Sequence, residues 1–311
     1  MAIHWYPGHM HKAQKQITEV MPQIDLVIEV LDARIPYSSE NPMVASLRKD
    51  KPCIKIFNKF DLADPEITAR WQKAFEASDS IRTLPLIATE TGQTQKLLSL
   101  CKELFPHREE NGKPVRAMIM GIPNVGKSTL INALAGRTIA KVGNEPAVTK
   151  AQQRINLGNG IVLSDTPGIL WPKVENPNSS YRLAATGAIK DTAMDYEDVA
   201  AFTAEYLLEA YPDLLKERYK IDELPHDEMG LLDEIARARG ARRAGGRVDY
   251  HKVSEILLHE FRSGRLGLVS LETPEMAEKE EIEVQKEIAR KEEEKAKRKA
   301  EKGKRKRPTR K

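Results

Sequence analysis

The stretch GIPNVGKST, residues 121–129, constrains the fold of this chain more than any other. It fits the pattern G-x-x-x-x-G-K-[ST], follows the apolar run RAMIMGI (116–122) and opens the helical pattern KSTLINALAG (127–136). A glycine-rich turn between strand and helix lets the backbone wrap a phosphate, with amide N–H groups and the helix N-terminus aimed at the anion. Lys127 then reaches the β- and γ-phosphates and the Ser128 hydroxyl holds Mg²⁺, while Asn124, Val125, Gly126 and Thr129 complete the cradle.

The surrounding pattern agrees with such a loop. DLVIEVLDA (25–33), CIKIFNK (53–59), LPLIAT (84–89), RAMIMGI and GIVLSDT (160–166) read as strands, and QRINLG (153–158) as one more. Their nearly continuous apolar character suits strands covered on both faces of a parallel sheet. PEITARWQKAFEAS (65–78) and TQKLLSLCKELF (94–105) lie between them with apolar residues at helical spacing. Strands alternating with helices predict a doubly wound α/β domain with helices on both faces.

Two further motifs identify the nucleotide. In DTPG (165–168), Asp165 follows Lys127 by 38 residues and is placed to reach Mg²⁺ through water, while the Gly168 N–H meets the γ-phosphate. NKFD (58–61) follows a strand directly. A carboxylate at Asp61 accepts both N1–H and N2–H₂ of guanine and leaves adenine unpaired, which excludes an ATPase. Asn58 braces the loops and Lys59 packs its stem along the base. ATETG (88–92) stands where a backbone N–H from Ala88 or Thr89 meets guanine O6. Thr149 is the expected Mg²⁺-binding switch threonine, with Thr138 the weaker rival.

The order of these parts is shuffled, because the base-binding loops precede the phosphate loop. All of them leave the C-terminal ends of parallel strands, so they meet at one sheet edge however the strands are joined. PHREENGKP (106–114) can join the usual ends, with the chain reopened after DTPG. The expected class is α/β: a circularly permuted P-loop GTPase domain, mostly parallel, followed by an all-α domain and a charged tail. Boundaries are placed at 1–22 for an N-terminal segment, 23–175 for the permuted domain, 176–272 for a helical RNA-binding domain and 273–311 for a charged helix with a basic disordered tail. Since the segment after Gly168 leads straight into the helices, hydrolysis is expected to reorient them.

Charge points to a polyanion partner. Residues 295–311 hold eleven Lys or Arg against Glu301, a net of +10, whereas the whole chain is +4 and residues 1–294 are therefore −6. A basic terminal appendage supplies salt-sensitive, sequence-blind affinity for phosphates. RARGARRAGGR (237–247) gathers Arg237, Arg239, Arg242, Arg243 and Arg247 around glycines, a set suited to structured RNA. Two cysteines exclude a disulfide framework or zinc ribbon, and no run of about eighteen apolar residues suggests a membrane span. A cytoplasmic protein is expected.

With HWYPGHMHKA (4–13) and DARIPYSSENP (32–42) added to the nucleotide motifs, the chain resembles the circularly permuted ribosome-assembly GTPases of the RbgA/YlqF family over residues 1 to about 270. The resemblance implies a GTPase of late large (50S) subunit maturation whose helical domain contacts rRNA. Ile169 stands where many GTPases carry a water-orienting glutamine. The resemblance implies that His9 of YPGHM takes that task, and that Asn124 helps bind an activating K⁺. ATETG departs from the family's S-A-K pattern. The alternative is a GTP-gated rRNA-binding scaffold with little intrinsic hydrolysis.

Overall fold

The computed structural model describes residues 9–110, 112–140, 153–166, 174–189 and 194–305. Thr149, Gly168, Ile169 and Trp171 lie outside the described residues, as does the His9 side chain. The chain divides into two compact units, Met1–Thr273 and Pro274–Lys311.

The first unit is built on a six-stranded sheet. Its strands are β1 (Leu26–Asp32), β2 (Cys53–Asn58), β3 (Ile81–Leu86), β4 (Val115–Gly121), β5 (Gln153–Asn156) and β6 (Ile161–Asp165). Their spatial order is β3-β2-β1-β4-β6-β5, and only the edge strand β5 is antiparallel. Every residue of β1 and β2 is buried, as expected for central strands covered on both faces. At the other edge β3 begins at Ile81, three residues before its apolar run, because Arg82 points outward while Ile81 and Thr83 are buried. Pro85 is tolerated there because an edge strand has a face that donates to no neighbour.

Helices α1 (His9–Val20), α2 (Pro36–Ser39), α3 (Pro42–Arg48), α4 (Pro65–Phe75), α5 (Thr91–Glu103), α6 (Pro106–Glu110) and α7 (Lys127–Ala135) accompany the strands. The helical region follows: α8 (Pro177–Ala185), α9 (Tyr196–Ala210), α10 (Pro212–Tyr219), α11 (Glu228–Arg239) and α12 (Tyr250–Arg262). Asn or Asp side chains cap the first turns of α3, α4, α8, α9, α11 and α12, through Asn41, Asp64, Asn176, Asp195, Asp227 and Asp249.

The helical region is fastened to the sheet by buried polar contacts. The Leu271 N–H donates to the Arg34 carbonyl (2.8 Å), and the Val269 N–H to that of Leu62 (3.1 Å). The Glu272 carboxylate accepts from the Ser38 N–H (2.8 Å) and pairs with Arg182 (3.3 Å), while Trp71 Nε1 donates to the Glu272 carbonyl (3.1 Å). The Arg182 pair lies within the helical region and fixes the Glu272 carboxylate that receives Ser38, so the bonds from Ser38, Trp71, Arg34 and Leu62 make the join. It lies beside the NKFD loop. A reorientation of the helices on hydrolysis would have to break these contacts.

The second unit is the helix α13 (Pro274–Arg305), whose charged surface carries exposed pairs such as Glu287 with Arg290 (2.8 Å) and Lys291 (3.2 Å). Pairs of that kind add little stability. Among the described residues no helix is long and apolar enough to cross a membrane.

Candidate functional site

The parallel strands end together. Asp32 of β1 lies opposite Asn58 of β2, Asn58 opposite Leu86 of β3, Val30 opposite Gly121 of β4, and Ile119 opposite Asp165 of β6. The sheet order turns back between β1 and β4, and ligands bind outside the strand ends at such a switch point.

One side chain stitches the loops to each other. Asn58 Nδ2 donates to the Val125 carbonyl in the phosphate loop (2.6 Å), and Asn58 Oδ1 accepts the Ala88 N–H (3.0 Å). Segments separated by 67 and 30 residues therefore meet on a single amide. A Cβ on Gly126 would collide with Asn58 Nδ2, and its φ of 92° also favours glycine. A Cβ on Gly121 would sit 2.7 Å from the Val30 carbonyl oxygen, so the first motif glycine lets β4 lie against β1.

Gly126 is also the N-cap of α7 and supplies no capping side chain. The amide donors of the first turn are thus left for an anion. Lys127 is buried and its Nζ bonds Asp165 Oδ1 at 2.6 Å, a pair that is 5% and 1% exposed. Ser128 and Thr129 are half-buried in the same turn. The Ser128 hydroxyl and the Asp165 carboxylate are hard oxygen donors, which suit Mg²⁺ when phosphate oxygens and water complete its shell. No cluster of three His, Cys, Asp or Glu able to hold a metal occurs among the described residues.

At the other end, Lys59 adopts a left-handed backbone (φ 60°) and caps the 3₁₀ turn Phe60–Leu62, which carries the exposed Asp61. Asp61 makes no hydrogen bond or ion pair to another described residue. Lys59 Nζ bonds Asp32 Oδ2 (2.8 Å), and Asp32 also takes a two-pronged contact from Arg34, at 2.9 Å to Nε and 2.7 Å to Nη2. Burial works against the Asp32 charge, yet Arg34 and Lys59 more than offset it and hold the carboxyl well below the usual range. Burial pulls the Lys59 ammonium below its ordinary value, with Asp32 opposing. The sequence carried DARIP only as a signature. The structure ties it to the NKFD loop through the Asp32–Lys59 bond, and a charged pair closing a mostly apolar strand was the available signal.

Ala88 is buried and its N–H is already given to Asn58, whereas exposed Thr89 donates its N–H to no described residue. In the phosphate loop, Asn124 Nδ2 donates to the Gly187 carbonyl at 2.8 Å.

The arginine cluster is divided. Arg237 pairs with Glu234 (2.6 Å), and Arg239 pairs with Glu260 (2.9 Å) and lies over the Tyr219 ring. Arg242, Arg243 and Arg247 are exposed on a tight turn, with Arg243 held by Asp249 (2.9 Å). Tyr196, Arg239, Lys252, Glu255, Ile256, His259, Glu260, Arg262 and Arg265 line a cleft of about 530 Å³. Burial opposes the Glu260 charge, but bonds from Arg218 and Arg239 outweigh it and lower the carboxyl from 4.5 to about 2. A depressed carboxylate stabilises the fold above its unfolded pKa, and that stabilisation disappears as pH falls toward the folded value. Glu260→Gln is therefore expected to flatten the fall in thermal midpoint between about pH 5 and about pH 2.5. Parallel profiles for the two proteins would remove Glu260 from the acid sensitivity.

Comparison with known proteins agrees with this geometry. Residues 116–220 match the family described as 50S ribosome-binding GTPase. Ribosome biogenesis GTPase A of Bacillus licheniformis is 45% identical over 282 residues, covering 88% of this chain and 99% of that protein. Its namesake in Priestia megaterium is 46% identical over 286 residues, covering 89% and 99%. The solved structure of GNP-bound YlqF from T. maritima overlays with a TM-score of 0.61 at 27% identity, covering 85% of this chain and 99% of that one. The GDP-bound form gives the same TM-score at 26% identity. Similarity of this extent, together with a phosphate loop and a guanine motif stitched by Asn58, places the chain in the ribosome biogenesis GTPase A family.

Proposed function

We propose that the chain is a GTPase serving as a checkpoint in late assembly of the large ribosomal subunit, hydrolysing GTP on contact with rRNA in the cytoplasm. The observation that supports this reading is the Asn58 amide, which joins the NKFD loop, the Ala88 turn and the phosphate loop at one edge of the sheet.

Asp61 faces the guanine N1–H and N2–H₂ edge. The Thr89 N–H meets O6, because Asn58 already takes the Ala88 N–H. A bound nucleotide offers its phosphate oxygens to Lys127 and to the α7 amides, leaving Asp165 to hold Mg²⁺ through water, with Ser128 and Thr149 as direct oxygen donors. Mg²⁺ bound there neutralises charge on the phosphates. Gly168 offers its N–H to the γ-phosphate. His9 orients the attacking water in place of a glutamine, and a neutral imidazole suits that task near neutral pH. K⁺ beside Asn124 adds positive charge where an arginine finger acts elsewhere. Arg242, Arg243 and Arg247, with Arg237, face RNA, while Arg239 is held by Glu260, and the tail adds affinity without sequence preference.

The test is single-turnover GTP hydrolysis with and without purified large or small subunits. Large subunits should accelerate turnover, and His9→Ala should lower kcat by about tenfold or more with GTP affinity little changed. Turnover unaffected by either subunit would instead favour a GTP-gated scaffold, the reading that Ile169 motivates.

A further inference from the structure

Asn124 has a left-handed backbone, with φ of 61°. Asparagine is among the few residues other than glycine that adopt that conformation readily. Its side chain is nonetheless tied down from outside the sheet. Asn124 Nδ2 donates to the carbonyl of Gly187, in the turn that ends α8.

That turn is closed on itself and clamped from without. The Ala188 N–H bonds the Leu183 carbonyl (2.9 Å) and the Gly187 N–H that of Ala184 (3.0 Å), with Gly187 at φ 80°. Arg262, the last residue of α12, then caps this buried helix end. Its Nε donates to the Ala185 carbonyl (2.9 Å) and its Nη2 to that of Ala184 (2.8 Å). A guanidinium presents these donors in a fixed fork, a geometry a flexible ammonium does not reproduce. A Cβ on Gly187 would lie 3.5 Å from Arg262 Nε, so the guanidinium rests directly against the turn. Arg262 also lines the cleft formed with Lys252, His259 and Arg265.

We propose that Arg262 is a positioning residue of the GTPase site: by clamping the Ala184–Gly187 turn it fixes the carbonyl that holds Asn124, and so sets the phosphate loop from within the helical region. The proposal rests on the GTPase reading. Failure of that reading would appear separately, as no GTP turnover in the unaltered protein.

The experiment is a mutant cycle in single-turnover GTP hydrolysis, comparing the unaltered protein with Arg262→Gln, Asn124→Ala and the double variant. Each single change should lower kcat about fivefold or more with KM changed less than about twofold, and the double should be no slower than the slower single, because both act through one path. Arg262→Lys, which keeps the charge and loses the fork, should resemble Arg262→Gln and serves the same cycle if the Gln variant does not fold. Multiplied losses in the double variant, or normal kcat in the Arg262 variants, would overturn the proposal.

Discussion

Asp61→Asn is expected to weaken GDP and GTP binding by about a thousandfold or more and to shift preference toward xanthosine nucleotides. Guanine presents two donors, N1–H and the N2 amino group, and a carboxylate accepts both. An asparagine sets its own amide NH₂ against one of them, so two donors face each other without a partner. Leaving polar groups unpaired in a desolvated contact costs about 1–3 kcal/mol each, more where a charge is involved. Xanthine carries an oxygen in place of the amino group and restores the match. The change should leave the fold intact, since Asp61 is exposed on the Phe60–Leu62 turn and bonds no other described residue. Fluorescence titration with GDP and XDP reads the effect. Unchanged GDP affinity would remove Asp61 from the base contact.

Lys127→Ala carries the second large effect, and it acts twice. Turnover should fall by at least about a hundredfold, because the charge that meets developing negative charge on the phosphates is gone. The nucleotide-free protein should also lose about 3 kcal/mol of stability, since Asp165 stays buried without its ion-pair partner. Combining Lys127→Ala with Asp165→Asn should restore part of the stability and none of the activity. Urea unfolding and single-turnover hydrolysis separate the two losses. A stability unchanged by Lys127→Ala would show that the buried pair does not form before nucleotide binds.

The parts of the site that sequence carried were those whose chemistry is local. GIPNVGKST and NKFD each declare a phosphate or a guanine through a few consecutive residues, and each follows a strand whose apolar run is plain. The sheet was legible for the same reason, apart from the start of β3, where an edge strand alternates and its exposed Arg82 interrupts the run. Contacts between distant segments were not legible. Ser38 meets Glu272 across 234 residues and Trp71 meets Glu272 across 201, so no window of sequence contains both partners. The same holds for Asn124 and Gly187, 63 residues apart. The permuted order suggested that the helices swing after hydrolysis. The structure anchors them beside the guanine loop, through Arg34, Leu62 and Glu272, and touches the phosphate loop through Gly187.

A crystal structure with a nonhydrolysable GTP analogue is the most direct check on whether transposed segments make one pocket. The guanine should contact Asp61 and the Thr89 N–H, with the Asn58 amide still joining the loops and the Lys127 ammonium moved from Asp165 onto the β- and γ-phosphates. An analogue seated away from either loop, or one whose base lies nowhere near Asp61 while its phosphates occupy the 121–128 turn, would contradict the account.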